Sequence, residues 1–267
     1  MRDSIESRQF WCALWGIKIL LKLKGADSMW VAGIDEAGRG CICGALFVAG
    51  VIGREENIAH FGAKDSKKLS PKQRERIYQA LLESQHKGEI GLFVAQIEAW
   101  EIDKFGLSIA MKNGIEQILC RIADFATLQN LIGQNVGQNT AKHNLLKQDV
   151  EQNPTDSTDS KNALQKITID GNTTFHAQIP HSLIQSSVRV QTMIKADDVL
   201  PIVSCASIVA KVSKDRQMHE LDKLYPQYFL AKNKGYGTLQ HKKAIAKNGY
   251  CPHHRKSFKI LIQECLF

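Results

Sequence analysis

Apolar positions along the chain gather in five short stretches and recur at helical spacing in four longer ones. The segments WVAGIDE, from Trp30, and GALFVAGVIG, ending at Gly53, flank a glycine-rich turn and read as adjacent buried strands. Further strands are expected over 89–98, 166–170 and 188–194. A helix is expected over 70–87, because Ser70 can cap it and Pro71 suits the first helical position. A second is expected over 102–125, with Ile109, Ile115, Ile118, Leu119 and Ile122 near one face. Two more are expected over 200–224 and over 239–248, the last stopped by Gly249. This order predicts an α/β fold, a central mixed five-stranded sheet flanked by helices with a helical segment at its C-terminal end.

Two stretches fall outside these rhythms. Residues 1–28 hold an apolar run interrupted by Lys18, Lys22 and Lys24, without the unbroken core and cleavage site of a signal peptide. They read as an extension before the main domain (29–267), with translation starting at Met29 or an amphipathic helix as the two explanations. Between residues 127 and 165, 12 of 39 residues are Asn or Gln, a composition that buries too little apolar surface to offset ordering entropy. An inserted loop is expected there, with a polar surface helix as the rival, since Leu145, Leu146 and Val150 are helically spaced.

Charge and cysteine content narrow the class. A net charge of +8 favours a polyanionic partner, and +6 remains when residues 1–28, with five basic and three acidic side chains, are set aside. No apolar run reaches the roughly 18 residues that a spanning helix needs, so no membrane role is expected. The seven scattered cysteines suggest neither a disulfide framework nor a zinc pattern, and a reducing cytoplasm fits them. Cys41 and Cys43 read as small buried residues beside the glycine turn. His253 and His254, adjacent and without partners at ligand spacing, read as surface residues.

The chemistry gathers at strand ends. Asp35, Glu36, Asp170 and Asp197 lie at or beside the ends of expected strands, so a sheet could bring them together across more than 160 residues. Singly, such an aspartate is a cap or turn residue. Together, four carboxylates in one pocket raise one another's pKa values unless a hard divalent cation neutralises them. Neighbours on a strand point to opposite faces, so Asp35 and Glu36 share a site only if the strand ends or bends, which Gly38 and Gly40 allow.

The run Gly33-Ile34-Asp35-Glu36-Ala37-Gly38-Arg39-Gly40 resembles the signature of the ribonuclease HII family, and further blocks follow in order. Lys64 to Ser70 is similar to the family's DSK loop, Ile169-Asp170-Gly171 to its third acidic position and Lys195-Ala196-Asp197 to its Lys-Gly-Asp fourth. Residues 206–211, 235–238 and 254–258 resemble the remaining blocks. The resemblance implies an RNase H-like fold and an endonuclease that cuts RNA–DNA hybrids and ribonucleotide-containing duplex DNA. It implies Mg2+ or Mn2+ held by Asp35, Glu36, Asp170 and Asp197. It implies recognition of the ribose 2′-hydroxyl by Gly38, Arg39 and Gly40, sugar packing by Tyr236, and phosphate or supporting contacts from Lys67, Ser207 and Lys211. A cytoplasmic monomer is expected. Ala196 in place of Gly, followed by Asp198, leaves Asp197 or Asp198 as the fourth ligand, with register favouring Asp197. The rival reading is a catalytically silent nucleic-acid-binding module on the same fold.

Overall fold

A computed structural model of the chain describes residues 29–63, 68–144 and 163–259, with side chains omitted over 130–144. The elements in chain order are strands β1 (Trp30–Ala37) and β2 (Leu46–Arg54), helices α1 (Glu55–Ala59) and α2 (Pro71–His86), and strand β3 (Ile90–Ile97). Helices α3 (Ala99–Phe105) and α4 (Leu107–Asn144) follow, then strand β4 (Leu164–Asp170), helix α5 (His181–Gln185) and strand β5 (Arg189–Met193). The chain closes with helices α6 (Ala196–Val199), α7 (Pro201–Leu224), α8 (Leu230–Asn233) and α9 (Leu239–Asn248). The extension expected over 1–28 lies outside the described residues.

The sheet has the order β3-β2-β1-β4-β5. β2 runs antiparallel to both β1 and β3, whereas β1, β4 and β5 are mutually parallel. It is the expected mixed five-stranded sheet, and strand alternation gives it two cores. Trp30, Ala32 and Ile34 of β1, with Ile167 and Ile169 of β4, face Ile115, Ile118, Leu119 and Ile122 of α4. Val31 of β1, with Ala49 and Val51 of β2, faces Val203, Ala206 and Ala210 of α7 and Ile77 and Leu81 of α2. At Ser70 the expected cap forms, a reciprocal box in which its hydroxyl accepts from the Gln73 amide and the Gln73 side chain accepts from the Ser70 amide.

Two helical expectations change. The single helix over 102–125 is broken at Gly106, whose φ of 84° separates α3 from α4, and Ile109 is 46% exposed while Ala110 and Met111 fill the core. The loop expected from residue 127 gives way to helix as far as Asn144, because extending a nucleated, packed helix costs little per residue even for a polar sequence. Residues 145–162 lie outside the described set, and β4 starts at Leu164, two positions before the expected strand.

At Gly33 the backbone of β1 comes close to that of α7. A Cβ there would stand 2.7 Å from the Ile202 carbonyl carbon and oxygen and from the Val203 nitrogen, all backbone atoms that a rotamer change cannot clear. Gly33→Ala is expected to push α7 off β1, costing about 3 kcal/mol. Thermal unfolding should show it as a fall in Tm of about 6–12 °C.

Candidate active site

Three parallel strands end along one edge of the sheet, where loops after the carboxyl ends of strands commonly form a crevice. The β1–β4 register places Ile34 opposite Ile169, so Asp35 and Asp170 follow side by side at the next position. On the other side of β4, Asp170 pairs with Met193, the last residue of β5. The chain then turns through Lys195, in left-handed geometry at φ 57°, and enters α6. The turn is fixed by the Ala196 amide, which donates to an Asp170 carboxylate oxygen at 2.7 Å. Asp197 therefore sits on a one-turn helix rather than at a strand end.

Asp35 is buried, and its carboxylate accepts from the Ser207 hydroxyl on α7 and, at 2.7 Å, from the Glu36 amide. Burial, with the Glu36 and Asp170 charges added, nevertheless pushes the Asp35 carboxyl well above the usual carboxylate range. Burial likewise raises Glu36, assisted by Asp170 and opposed by Arg39, whose guanidinium lies 3.7 Å from the Glu36 carboxylate. Burial and the Asp170 charge thus act in the same direction on Asp35 and Glu36. Asp197 is 2% exposed, and its carbonyl accepts from the Ser204 hydroxyl of α7 at 2.6 Å. Asp198 faces outward, 3.8 Å from Lys68.

β1 does not end at Asp35-Glu36, the first of the two ways in which the pair was expected to share a site. It runs to Ala37, still paired with β2, while pairing to β4 stops at Ile34. Glu36 therefore lies beyond the last β1–β4 pair and is still raised by the Asp170 charge. The bend comes two residues later, at Gly38, where φ is 92° and a Cβ would be 2.9 Å from the Ala45 carbonyl.

The turn after β1 carries Arg39 and Gly40 outward, with the Arg39 guanidinium 5.2 Å from the Phe175 ring centre. Tyr236, 43% exposed, lies over α7, its ring centre 4.7 Å from the Lys214 ammonium and 6.0 Å from that of Lys211. Burial and the nearby Lys214 cation depress the Lys211 pKa. Lys67 lies outside the described residues. Asp35, Glu36, Asp170, Gly38, Arg39, Gly40 and Ser207 thus share one edge of the sheet, Asp197 follows the amide held by Asp170, and Tyr236 and Lys211 lie on the α7 side.

Further residues shape this face, and of these only His254 and Arg255 fall within a block that the sequence singled out. Lys214 is buried beneath the turn, donating to the Lys234 carbonyl at 3.1 Å and pairing with Asp215 at 3.2 Å. Arg255 is fully buried and donates to the Gly44 and Arg39 carbonyls. His241 and His254 are buried too, contrary to the surface reading of His254, because Cys43 and His254 form a β-bridge that draws the C-terminal segment inward. Cys43 and Cys251 share a thiol hydrogen bond that raises Cys43 and lowers Cys251.

The ribonuclease HII family model matches residues 32–261. The chain belongs to the ribonuclease HII family. Ribonuclease HII of Helicobacter pylori (strain J99) is 40% identical over 233 residues, covering 85% of this chain and 88% of that protein. Ribonuclease HII of Campylobacter concisus (strain 13826) is 34% identical over 240 residues, covering 89% and 98%. Among solved structures, the complex of PCNA with RNase HII from Archaeoglobus fulgidus matches the fold with a TM-score of 0.59 at 23% identity, over 87% of this chain and 96% of that one. Ribonuclease H2 from Pyrococcus horikoshii matches with a TM-score of 0.53 at 25% identity, over 86% and 94%. The fold is the RNase H-like fold of ribonuclease HII, and the chain is an enzyme of the ribonuclease H type. No helix among the described residues is long and apolar enough to cross a membrane.

Proposed function

We propose that this enzyme cuts the RNA strand of RNA–DNA hybrids and incises duplex DNA at single embedded ribonucleotides, leaving 5′-phosphate and 3′-hydroxyl ends. The observation that carries the reading is the buried Asp35 carboxylate, raised by burial and by the charges of Glu36 and Asp170, for which a divalent cation is the natural compensation. The donors are hard oxygens, the set that Mg2+ or Mn2+ prefers, with Asp35, Glu36, Asp170 and the buried Asp197 in the ligand roles. Divalent cations bound there would supply water activation and stabilisation of the leaving oxygen.

The protein's own part is positioning. Ser207 and the Glu36 amide hold the Asp35 carboxylate, and the Ala196 amide holds that of Asp170, so neither has to be ordered during the reaction. Gly38 turns the chain so that the Arg39 and Gly40 main chain faces the sugar, where the 2′-hydroxyl is the group that separates RNA from DNA. Tyr236 offers its ring to the same sugar, and Lys211 and Lys67 add salt-sensitive phosphate affinity in keeping with the +8 charge. The proposed role is removal of misincorporated ribonucleotides and hybrid RNA by a cytoplasmic monomer.

The test is cleavage, with Mg2+ or Mn2+, of a DNA duplex carrying one ribonucleotide beside the same duplex without it. Cutting of the first alone is expected; equal cutting of both overturns the ribose reading. Gly40→Ala sharpens the test, because a Cβ at Gly40 meets nothing within 4 Å and its φ is not left-handed. Stability should change by no more than about 0.5 kcal/mol. Cleavage should fall about 10–100-fold, the effect of about 1–3 kcal/mol of crowding against a substrate held close to the main chain.

A further inference from the structure

Beyond the turn that follows β1, three side chains from two distant segments of the sequence meet in the interior. One ligand atom from each of Cys43, Cys251 and His254 lies within 4.8 Å of the other two, and all three residues are buried. No other group of three His, Cys, Asp or Glu side chains among the described residues is as tight, the carboxylates of the active site included. We propose that Cys43, Cys251 and His254 form a binding site for a soft divalent cation of the zinc class, separate from the carboxylate site. Two sulfurs and an imidazole are the donors such a cation selects, whereas Mg2+ and Mn2+ prefer carboxylate oxygens.

The main chain organises the three donors in advance. Cys43 is bridged to His254, and the Gly44 amide donates to the His253 carbonyl at 2.8 Å. The Cys251 amide donates to His254 Nδ1 at 2.9 Å, so this nitrogen carries the lone pair and Nε2 the proton. His254 Nε2 then donates to His241 Nε2 at 3.1 Å, and His241 Nδ1 donates to the Tyr236 carbonyl at 2.9 Å. This is the outer-shell pattern of a metal-ligating histidine, whose second nitrogen is bonded to a partner that fixes the ring. A cation at Nδ1 would take the lone pair now used by the Cys251 amide and leave the relay to Tyr236 intact. It would join the segment after Gly40 to the one before Arg255 and brace two parts of the substrate-facing surface from behind.

The donor types also give the site a signature of its own. Bound to cysteine sulfur, Co2+ shows a thiolate-to-metal charge-transfer absorption that carboxylate ligands do not give. The full-length chain, reduced and stripped of metal, is titrated with Co2+ alone and then with Zn2+. The expected result is a thiolate band that saturates at one Co2+ per chain and is displaced by Zn2+. Cys43→Ala and Cys251→Ser should each abolish the band while circular dichroism shows them folded, and Asp35→Asn should keep it. A folded, reduced wild-type chain without the band overturns the proposal, as does a band that survives both cysteine substitutions. Thiol titration of the unreduced, denatured chain distinguishes a disulfide: five free thiols instead of seven, with Cys43 joined to Cys251, would also overturn it.

Discussion

Asp35→Asn is expected to lower cleavage of a duplex carrying one ribonucleotide by about 1,000-fold or more, and to raise thermal stability in the presence of a chelator. The first effect follows from the proposed ligand role, since divalent cations contribute several kcal/mol of transition-state stabilisation and about 1.4 kcal/mol corresponds to a tenfold change in rate. The second follows from the sign of the Asp35 shift. Its carboxyl is raised in the folded protein, chiefly by burial, so above the ordinary carboxylate range its charge favours the unfolded chain, where it is fully hydrated. Asparagine removes that charge and keeps an oxygen to accept from the Glu36 amide and the Ser207 hydroxyl. A merely structural aspartate would give the opposite pair of results, lower stability with activity lost in proportion. Binding of the duplex, carried by lysines and arginines, should stay salt-sensitive and largely intact. Undiminished cutting by Asp35→Asn would remove Asp35 from the ligand set.

How far this arrangement could be read from the sequence depended on the range of the interactions involved. The five strands and the start of α2 were legible because short apolar runs bounded by turn residues and the Ser70-Pro71 cap are local signals. The break at Gly106 was not, since a single glycine inside a helical pattern is compatible with either outcome. Asp197 was located by motif register, yet its place on α6 depends on the Asp170 carboxylate capturing the Ala196 amide, a contact across 26 positions. His254 shows the limit most clearly. Beside His253 it looks like a surface residue, and only the pairing of Cys43 with a segment more than 200 positions away makes it part of a buried cluster. Lys214 is one lysine among many in the sequence. Its meaning appears when its stem packs under Gly38 and its ammonium under Tyr236.

Arg255→Met is expected to reduce cleavage about 100-fold without touching any carboxylate. Arg255 is fully buried, and its Nε donates to the Gly44 carbonyl at 2.9 Å and one Nη to the Arg39 carbonyl at 3.2 Å, while its own amide donates to the Ile42 carbonyl at 2.8 Å. Its side chain therefore clasps both ends of the turn that carries Gly40. Two large effects on stability oppose each other. Methionine leaves two carbonyls without their charged donor, at about 1–3 kcal/mol each. It also removes a buried cation whose second Nη has no partner and whose desolvation costs several kcal/mol. The net change in stability should be small for so buried a residue, within about 2 kcal/mol. Activity has no such compensation, because a displacement of about 1 Å in a substrate-positioning element can cost about 100-fold. Hydrogen exchange separates the two effects. The amides of Cys41, Ile42, Cys43 and Gly44, bonded in the wild type to the Gly38, Gly235 and His253 carbonyls, should exchange faster in Arg255→Met while those of β1 and β4 stay protected. A variant that cuts at the wild-type rate with the turn amides still protected would show that Gly38, Lys214 and the Gly235 carbonyl hold the turn without Arg255.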